Sequence, residues 1–171
     1  SITRAPLTIT AADKTKVYGD ANPALTGTIT GIKNGDGITA SYATVADQGS
    51  GVGGYAIVPS AVDASPAKLG NYDVTLVNGN LQVTKAPLTI TAADKTKFYG
   101  DANPALTGTI TGLKNGDGIT ASYAMAAGLG SGVGGYAIVP SAVDASPAKL
   151  GNYDVTLVNG SLSITRAPLT I

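Results

Sequence analysis

Short stretches in which apolar and polar side chains alternate are the first feature of this chain. Leu7-Thr-Ile-Thr-Ala11 is one of them, and Ile38-Thr-Ala-Ser-Tyr42 and Tyr72-Asp-Val-Thr-Leu-Val77 are others. A period of two residues is typical of a half-buried β-strand, whose successive side chains point to opposite faces. No window shows the sustained 3.6-residue period of an amphipathic helix. The alternation therefore predicts an all-β protein.

Six or seven such strands fall within about 80 residues, with Gly or Pro between them. This density predicts small antiparallel β-sandwiches of immunoglobulin-like type, with a β-grasp arrangement as the alternative. Asn34-Gly-Asp-Gly37 is predicted to form a turn, and Asn78-Gly79 a two-residue type I′ hairpin turn. The predicted core residues are Leu7, Ile9, Ile29, Tyr55, Ile57, Tyr72, Val74, Leu76, Leu81, Val83 and their copies.

The whole pattern repeats with an offset of 81 residues. Tyr18-Gly-Asp-Ala-Asn-Pro-Ala-Leu25 returns unchanged from Tyr99, and 71 of 81 aligned positions are identical. We expect two extended, tandem domains that form part of a longer array. Residues 1–5 would end one repeat, 6–86 and 87–167 would be the two repeat domains, and 168–171 would begin another repeat. A spacer gains length with every copy, whereas a catalytic domain has no need of such close copying. The repetition therefore indicates a structural role.

The junction between the repeats is short and contains proline. Only Lys85, Ala86 and Pro87 separate the last predicted strand of one repeat from the first strand of the next. Proline fixes its own φ angle and pushes the preceding residue into an extended conformation. A Gly/Ser-rich linker would leave the domains free to move, so this junction predicts a stiff rod.

Composition removes several classes of function. The chain contains no Cys, no His and no Glu, and its formal net charge is zero. Disulfides, thiolate metal sites and the commonest general base are therefore absent, and an enzyme is the least favoured class. Lys and Arg occur singly, without a basic stripe for nucleic acid. No apolar run is long enough to insert into a membrane.

Calcium is the one cofactor that the residue types allow. Asp20 and Asp36, with their copies Asp101 and Asp117, are candidate ligands, because calcium takes clustered oxygen ligands. Each of them lies beside Gly, Asn or Ala in a predicted turn, where a turn-forming role explains the residue without a metal. The expectation is no cofactor, with calcium as the alternative.

The differences between the copies concentrate in one segment. Thr44-Val-Ala-Asp-Gln48 becomes Met125-Ala-Ala-Gly-Leu129, which loses a charge and gains two large apolar residues. If the segment is an exposed loop, its variable residues (Thr44, Val45, Asp47, Gln48, Met125 and Leu129) are where the copies could differ in their contacts. Neutral drift in a loop is the simpler interpretation.

Three stretches in a fixed order resemble a known bacterial repeat. They are Lys16-Val-Tyr-Gly-Asp-Ala-Asn-Pro23, Gly31-Ile-Lys-Asn-Gly-Asp36 and the segment from Gly70 to Gly79, followed by Leu81 to Thr91. Together they resemble the MBG (YGX type) domain, which occurs in tandem in filamentous-haemagglutinin-like exoproteins and other large adhesins. The resemblance implies an exported stalk or fibre module at the cell surface, and it supplies no catalytic residues.

Three functional hypotheses follow from these observations. The first is a stalk or spacer that projects a distant binding region and has neighbouring repeats as its contacts. The second is a subunit of a self-assembling extracellular filament, such as a biofilm matrix, that associates laterally or end to end through an exposed β edge. The third is a glycan-binding module, which the absence of Trp disfavours.

Overall fold

Seven strands form in each copy of the repeat, and a computed structural model describes residues 1–170. The chain divides into two compact units that meet between Thr84 and Lys85. The strands of the first unit are β1 (Ala5–Ala11), β2 (Lys14–Val17), β3 (Gly27–Thr30), β4 (Thr39–Ala43), β5 (Gly53–Val62), β6 (Tyr72–Val77) and β7 (Gly79–Thr84). A 3-10 turn, Leu69–Asn71, precedes β6.

The second unit repeats this order. Its strands are β8 (Ala86–Ala92), β9 (Lys95–Phe98), β10 (Gly108–Thr111), β11 (Thr120–Met125), β12 (Gly134–Val143), β13 (Tyr153–Val158) and β14 (Gly160–Thr165). A 3-10 turn, Leu150–Asn152, again precedes the sixth strand of the unit. Across residues 1–170 no helix is long and apolar enough to cross a membrane.

Each unit is a sandwich of a three-stranded and a four-stranded sheet. In the first unit the strand orders are β3-β1-β6 and β2-β7-β5-β4, and the second unit has the same arrangement. Leu7 and Ile9 of β1 are fully buried, as are Leu81 and Val83 of β7, since every second side chain points between the sheets. The prediction of an all-β chain with two tandem sandwich domains is confirmed, and the two sheets of each unit exclude the β-grasp alternative.

Strand pairing is mixed, although antiparallel pairing was predicted. β1 pairs with β6, and β2 pairs with β7, in parallel register. Ala12 and Asp13 carry the chain from β1 in one sheet to β2 in the other, and Asn78 carries it from β6 to β7. The first two strands therefore lie beside the last two, which sequence alternation alone does not specify.

The predicted Asn78-Gly79 hairpin is wrong, because β6 and β7 belong to different sheets. Neither residue has a positive φ angle. Gly79 is required for a different reason: a Cβ atom there would lie 2.8 Å from the carbonyl oxygen of Ala11 and 2.9 Å from that of Ala12. The glycine permits a close approach between main chains.

The type I′ geometry occurs instead at Asn34-Gly35, in the loop between β3 and β4. Asn34 has a φ angle of 53° and Gly35 a φ angle of 67°. The amide of Asp36 closes the turn on the carbonyl of Lys33 at 2.9 Å. The predicted turn at 34–37 therefore forms, but it connects two sheets and is not part of a hairpin.

Most of the predicted core is correct, with one error. Leu7, Ile9, Ile57, Tyr72, Leu81 and Val83 are buried, and Ile29, Tyr55 and Val74 pack at the border of the core. Leu76 is 48% exposed, and it lies toward the end of the outer strand β6.

Candidate functional site

The calcium candidates of each unit lie in separate loops. Asp20 follows β2 in a turn that its amide closes on Val17 at 3.1 Å, and its side chain is exposed. Asp36 lies between β3 and β4. Nowhere in residues 1–170 do three or more acidic side chains come together as a metal site. A calcium ion would have to take most of its six to eight oxygen ligands from main-chain carbonyls and water.

Asp36 is instead bound by a tyrosine from the start of β6. The Tyr72 hydroxyl donates to Oδ2 of Asp36 at 2.8 Å and accepts the amide of Lys33 at 2.9 Å. Burial, followed by the neighbouring Asp36 carboxylate, raises the pKa of Tyr72. Beside this pair is a polar cavity of about 540 Å³, lined also by Arg4 and Asn34. The arrangement ties the loop at residues 33–36 to the start of β6.

A buried lysine is the most unusual charged group of each unit. Lys16 is only 7% exposed, and its ammonium donates to the main-chain oxygens of Asp20 and Asp47. Lys97 repeats this contact at 3.0 Å to the oxygens of both Asp101 and Gly128. This role was not predicted from the sequence. In β2 the side chain of Lys16 lies on the same face as its register partner Val83, which is fully buried.

The segment that varies between the copies is held through its main chain. The carbonyl of Ala46 accepts a hydrogen bond from the side-chain amide (Nδ2) of Asn22 at 2.6 Å, and the carbonyl of Asp47 accepts one from the Lys16 ammonium. The second copy keeps both contacts at Ala127 and Gly128. Because carbonyl oxygens are the same in every residue type, the side chains of this segment can change without loss of its attachment.

The variable side chains themselves are mostly directed to solvent. Val45 is 90% exposed and Leu129 is 62% exposed, while Thr44 bonds the amide of Ala46 at 3.3 Å. Gln48 donates to the carbonyl of Gly19 at 2.9 Å. Met125 extends β11 and lines a shallow apolar depression of about 300 Å³, together with Ala124, Ala126, Tyr136, Ala137 and Val139.

Asp47 differs between the copies, yet the turn that it begins does not. Its carboxylate accepts the hydroxyl of Ser50 at 3.0 Å, a contact that lowers the pKa of Asp47. Its amide also donates to that hydroxyl at 2.8 Å. Gly128 has no carboxylate, but its amide keeps the same 2.8 Å bond to Ser131. The carboxylate is therefore dispensable for the turn.

A second carboxylate closes the loop between β5 and β6. Oδ1 of Asp63 accepts the amides of Ala64, Lys68 and Leu69 at 2.7–2.8 Å. The bonds from Lys68 and Leu69 are the main reason why the pKa of Asp63 is lowered. Asp144 makes the same three bonds in the second unit, and its pKa is also lowered. The three hydrogen bonds to one carboxylate oxygen stabilise the loop in each unit.

Two of the three predicted junction residues belong to a strand. Ala86 is buried and opens β8, where it lies opposite Tyr153, and Pro87 lies opposite Asp154. β10, on the other side of β8, pairs only from Thr89 onward, so the missing amide of Pro87 costs no ladder bond there. Lys85 alone lies between the last strand of the first unit and the first strand of the second.

Comparison with protein-family profiles agrees with the repeat pattern. A profile of the family described as "MBG domain (YGX type)" matches residues 7–82 and again 88–163. No curated protein matches the chain. A solved structure, Drosophila N-cadherin EC1-4, shares 9% identity with a TM-score of 0.34. That match covers 96% of this chain, which spans about half of that structure (51%).

Proposed function

Because the chain belongs to the family of MBG domains (YGX type), a family of surface-protein repeat modules, we propose that it is a stalk segment of an extracellular adhesin. In this role its repeats act as spacers that hold a distant binding region away from the bacterial surface. The neighbouring repeats of the same chain are then its principal contacts.

The observation that carries this proposal is the equivalence of the two units. Both copies have the same strand order, the same parallel pairs and the same tyrosine–aspartate contact. No side-chain polar atom that is buried in residues 1–170 lacks a hydrogen-bond partner. The buried polar side chains are hydrogen-bonded within the protein itself, which agrees with a role as a structural repeat module.

The composition supports the same role. With no His, Cys or Glu in the chain, the commonest general base and the thiol nucleophile are missing. The proposal therefore assigns no reaction to these repeats and no cofactor to their function. Calcium is tested as a stiffening ligand in the experiment below.

The proposal is tested by small-angle X-ray scattering on chains of one, two and four repeats. A stiff spacer gives a maximum dimension that increases by the same amount with each repeat, whereas a flexible chain of domains grows with roughly the square root of their number. The series is measured with calcium and then with chelator. Growth with the square root would contradict the proposed rod, and stiffening only with calcium would assign the ion a structural role.

The junction has a matched control within the chain. Pro87→Gly should reduce the maximum dimension of the two-repeat chain, because proline restricts the backbone beside the junction, and should lower the melting temperature of the second unit, because glycine weakens strand β8. Pro6→Gly alters the equivalent residue of the first unit, which does not lie at the boundary between the two units, and should leave the maximum dimension of the two-repeat chain unchanged. Equal effects from the two variants would contradict the junction argument.

A further inference from the structure

One edge of the three-stranded sheet in each unit is open. β6 is the outer strand of its sheet and pairs along all six residues with β1 on one side. In the part of the chain that the structure describes, no strand pairs with its other side. β13 has the same position in the second unit. An outer strand presents unpaired amide and carbonyl groups, to which another strand can add.

At the C-terminal end of this open edge, apolar side chains lie on both faces. Leu76 shares the inward face with its register partner Ile9, whereas Val77 shares the outward face with Thr10. Leu76 is 48% exposed and Val77 is 42% exposed. Their copies, Leu157 and Val158, are 47% and 41% exposed, so the feature is a property of the repeat.

Two other outer strands of the unit, β2 and β3, have features that disfavour pairing with another chain. The outer strand β2 carries Lys16 on its inward face, and inward-pointing charge is one way in which proteins prevent edge pairing. β3 has only four residues, with Gly31 directly after it. β6 contains neither Lys nor Pro, and its one charged residue, Asp73, lies near its N-terminal end.

We propose that two copies of the chain associate laterally by antiparallel pairing of their β6 and β13 edges. The edge is self-complementary: one antiparallel register sets Thr75 opposite Thr75 of the second copy on the outward face and Val74 opposite Leu76 on the inward face. No like charges then face each other across the pair. The two copies would share a continuous six-stranded sheet related by a two-fold axis.

The size of the edge sets the strength of the association. A standard interface buries about 800 Å² on each partner, and a six-residue edge strand offers less than that. A single pair of edges is therefore weak, and several repeats in one chain add their contributions when their edges engage together. This inference goes beyond the spacer role, which needs no contact between chains.

The test is sedimentation velocity of the chain over a concentration series up to millimolar, with edge and control variants. Val77→Lys combined with Val158→Lys places a charge at each open edge and should abolish the increase in apparent mass. Val58→Lys with Val139→Lys is the matched control. Both control residues are valines with 48% exposure, but they lie on β5 and β12, which have strands on both sides.

Association of the original chain, its retention in the control and its loss in the edge variant would support the proposal. Hydrogen exchange should then slow within 73–77 and 154–158 when the chain associates, at the alternate residues whose amides face the open edge. A monomer throughout the series would overturn it. So would loss of association in the Val58 and Val139 control, which would point to packing of sheet faces. Circular dichroism confirms that each variant is folded.

Discussion

Tyr72 holds Asp36 across 36 positions of sequence, through a 2.8 Å hydrogen bond from its hydroxyl to Oδ2. Tyr153 makes the same contact with Asp117 at 2.7 Å in the second unit. Tyr72 begins β6, and Asp36 belongs to the loop that connects the two sheets. One side chain therefore ties a crossing loop to the strand whose edge remains open.

Replacing this tyrosine should change the response to alkaline pH. The pKa of Tyr72 is raised above its usual value near 10, so the folded state holds this proton more tightly than the unfolded state. The resulting stability is present below about pH 10 and is lost as the pH rises through the folded-state pKa. Tyr72→Phe should lower the melting temperature at pH 8 and reduce its decline toward pH 11, as measured by circular dichroism.

Tyr55→Phe is the control for this experiment. Its hydroxyl donates to the carbonyl of Gly51 at 3.0 Å. We expect Tyr55→Phe to retain the alkaline decline of the original chain. If the melting temperature of Tyr72→Phe fell toward pH 11 as steeply as that of the original chain, the contact with Asp36 would not be the cause of the fall.

Acid stability should depend on the loop carboxylates. The pKa values of Asp63 and Asp144 are lowered by main-chain amides, so both groups bind protons more weakly when folded. Their contribution is present above the unfolded value of about 3.9 and is lost as the pH falls through the lower folded-state pKa. Asp63→Asn with Asp144→Asn should lower the melting temperature at pH 7 and flatten its decline between pH 5 and pH 2. An unchanged acid profile would contradict this assignment.

The buried lysine should matter for stability more than its neighbours do. Lys16→Met keeps the apolar stem but leaves buried carbonyl oxygens without their donor, which should cost about 1–3 kcal/mol in the free energy of unfolding. Urea denaturation measures this cost. Lys14→Met, on the same strand but partly exposed, should have a much smaller effect.

Asp47→Gly separates the two parts of the lysine contact. The ammonium binds the main-chain oxygen of residue 47, and Gly128 supplies the same oxygen in the second unit. We therefore expect Asp47→Gly to leave stability almost unchanged. A loss comparable to that of Lys16→Met would mean that the carboxylate of Asp47 is the important partner.

Gly79 should be intolerant of even a methyl group. Gly79→Ala would bring its Cβ within 3.0 Å of the main chain at Ala11 and Ala12, and relief of such crowding costs about 1–3 kcal/mol. Gly70→Ala is the matched control, since no atom lies within 4 Å of the added Cβ and the φ angle is not positive. Thermal unfolding of the two variants should therefore differ, and equal melting temperatures would contradict the close-packing argument.

Alternation was sufficient to predict the strands and most of the core, because burial of every second residue leaves a direct trace in the sequence. Leu7 and Ile9 are buried as expected. The pairing of strands was less accessible, since Asn78-Gly79 is compatible with both a hairpin and a crossover between sheets. In the crossover, Gly79 lies close to the main-chain oxygens of Ala11 and Ala12. That contact is not visible in the sequence.

The site residues show the same limit. The side chains at 44, 45, 47 and 48 drew attention because they vary, yet the conserved contacts of that segment are made by carbonyl oxygens. Main-chain contacts leave no mark on residue type. Lys16 was missed for a related reason: lysine usually indicates an exposed position, and burial was decided here by acceptors distant in sequence.

The parallel pairing of β2 with β7 has a mechanical consequence. Four register pairs join these strands, and a 2.8 Å bond from the Tyr18 amide to Thr84 extends the ladder. Tension along the chain enters the unit at the N-terminal end of β1 and leaves it at the C-terminal end of β7. Once β1 has been pulled from its sheet, the load acts on the N-terminal end of β2 and the C-terminal end of β7, which are opposite ends of a parallel pair. It is then a shear force that all of these hydrogen bonds share at once.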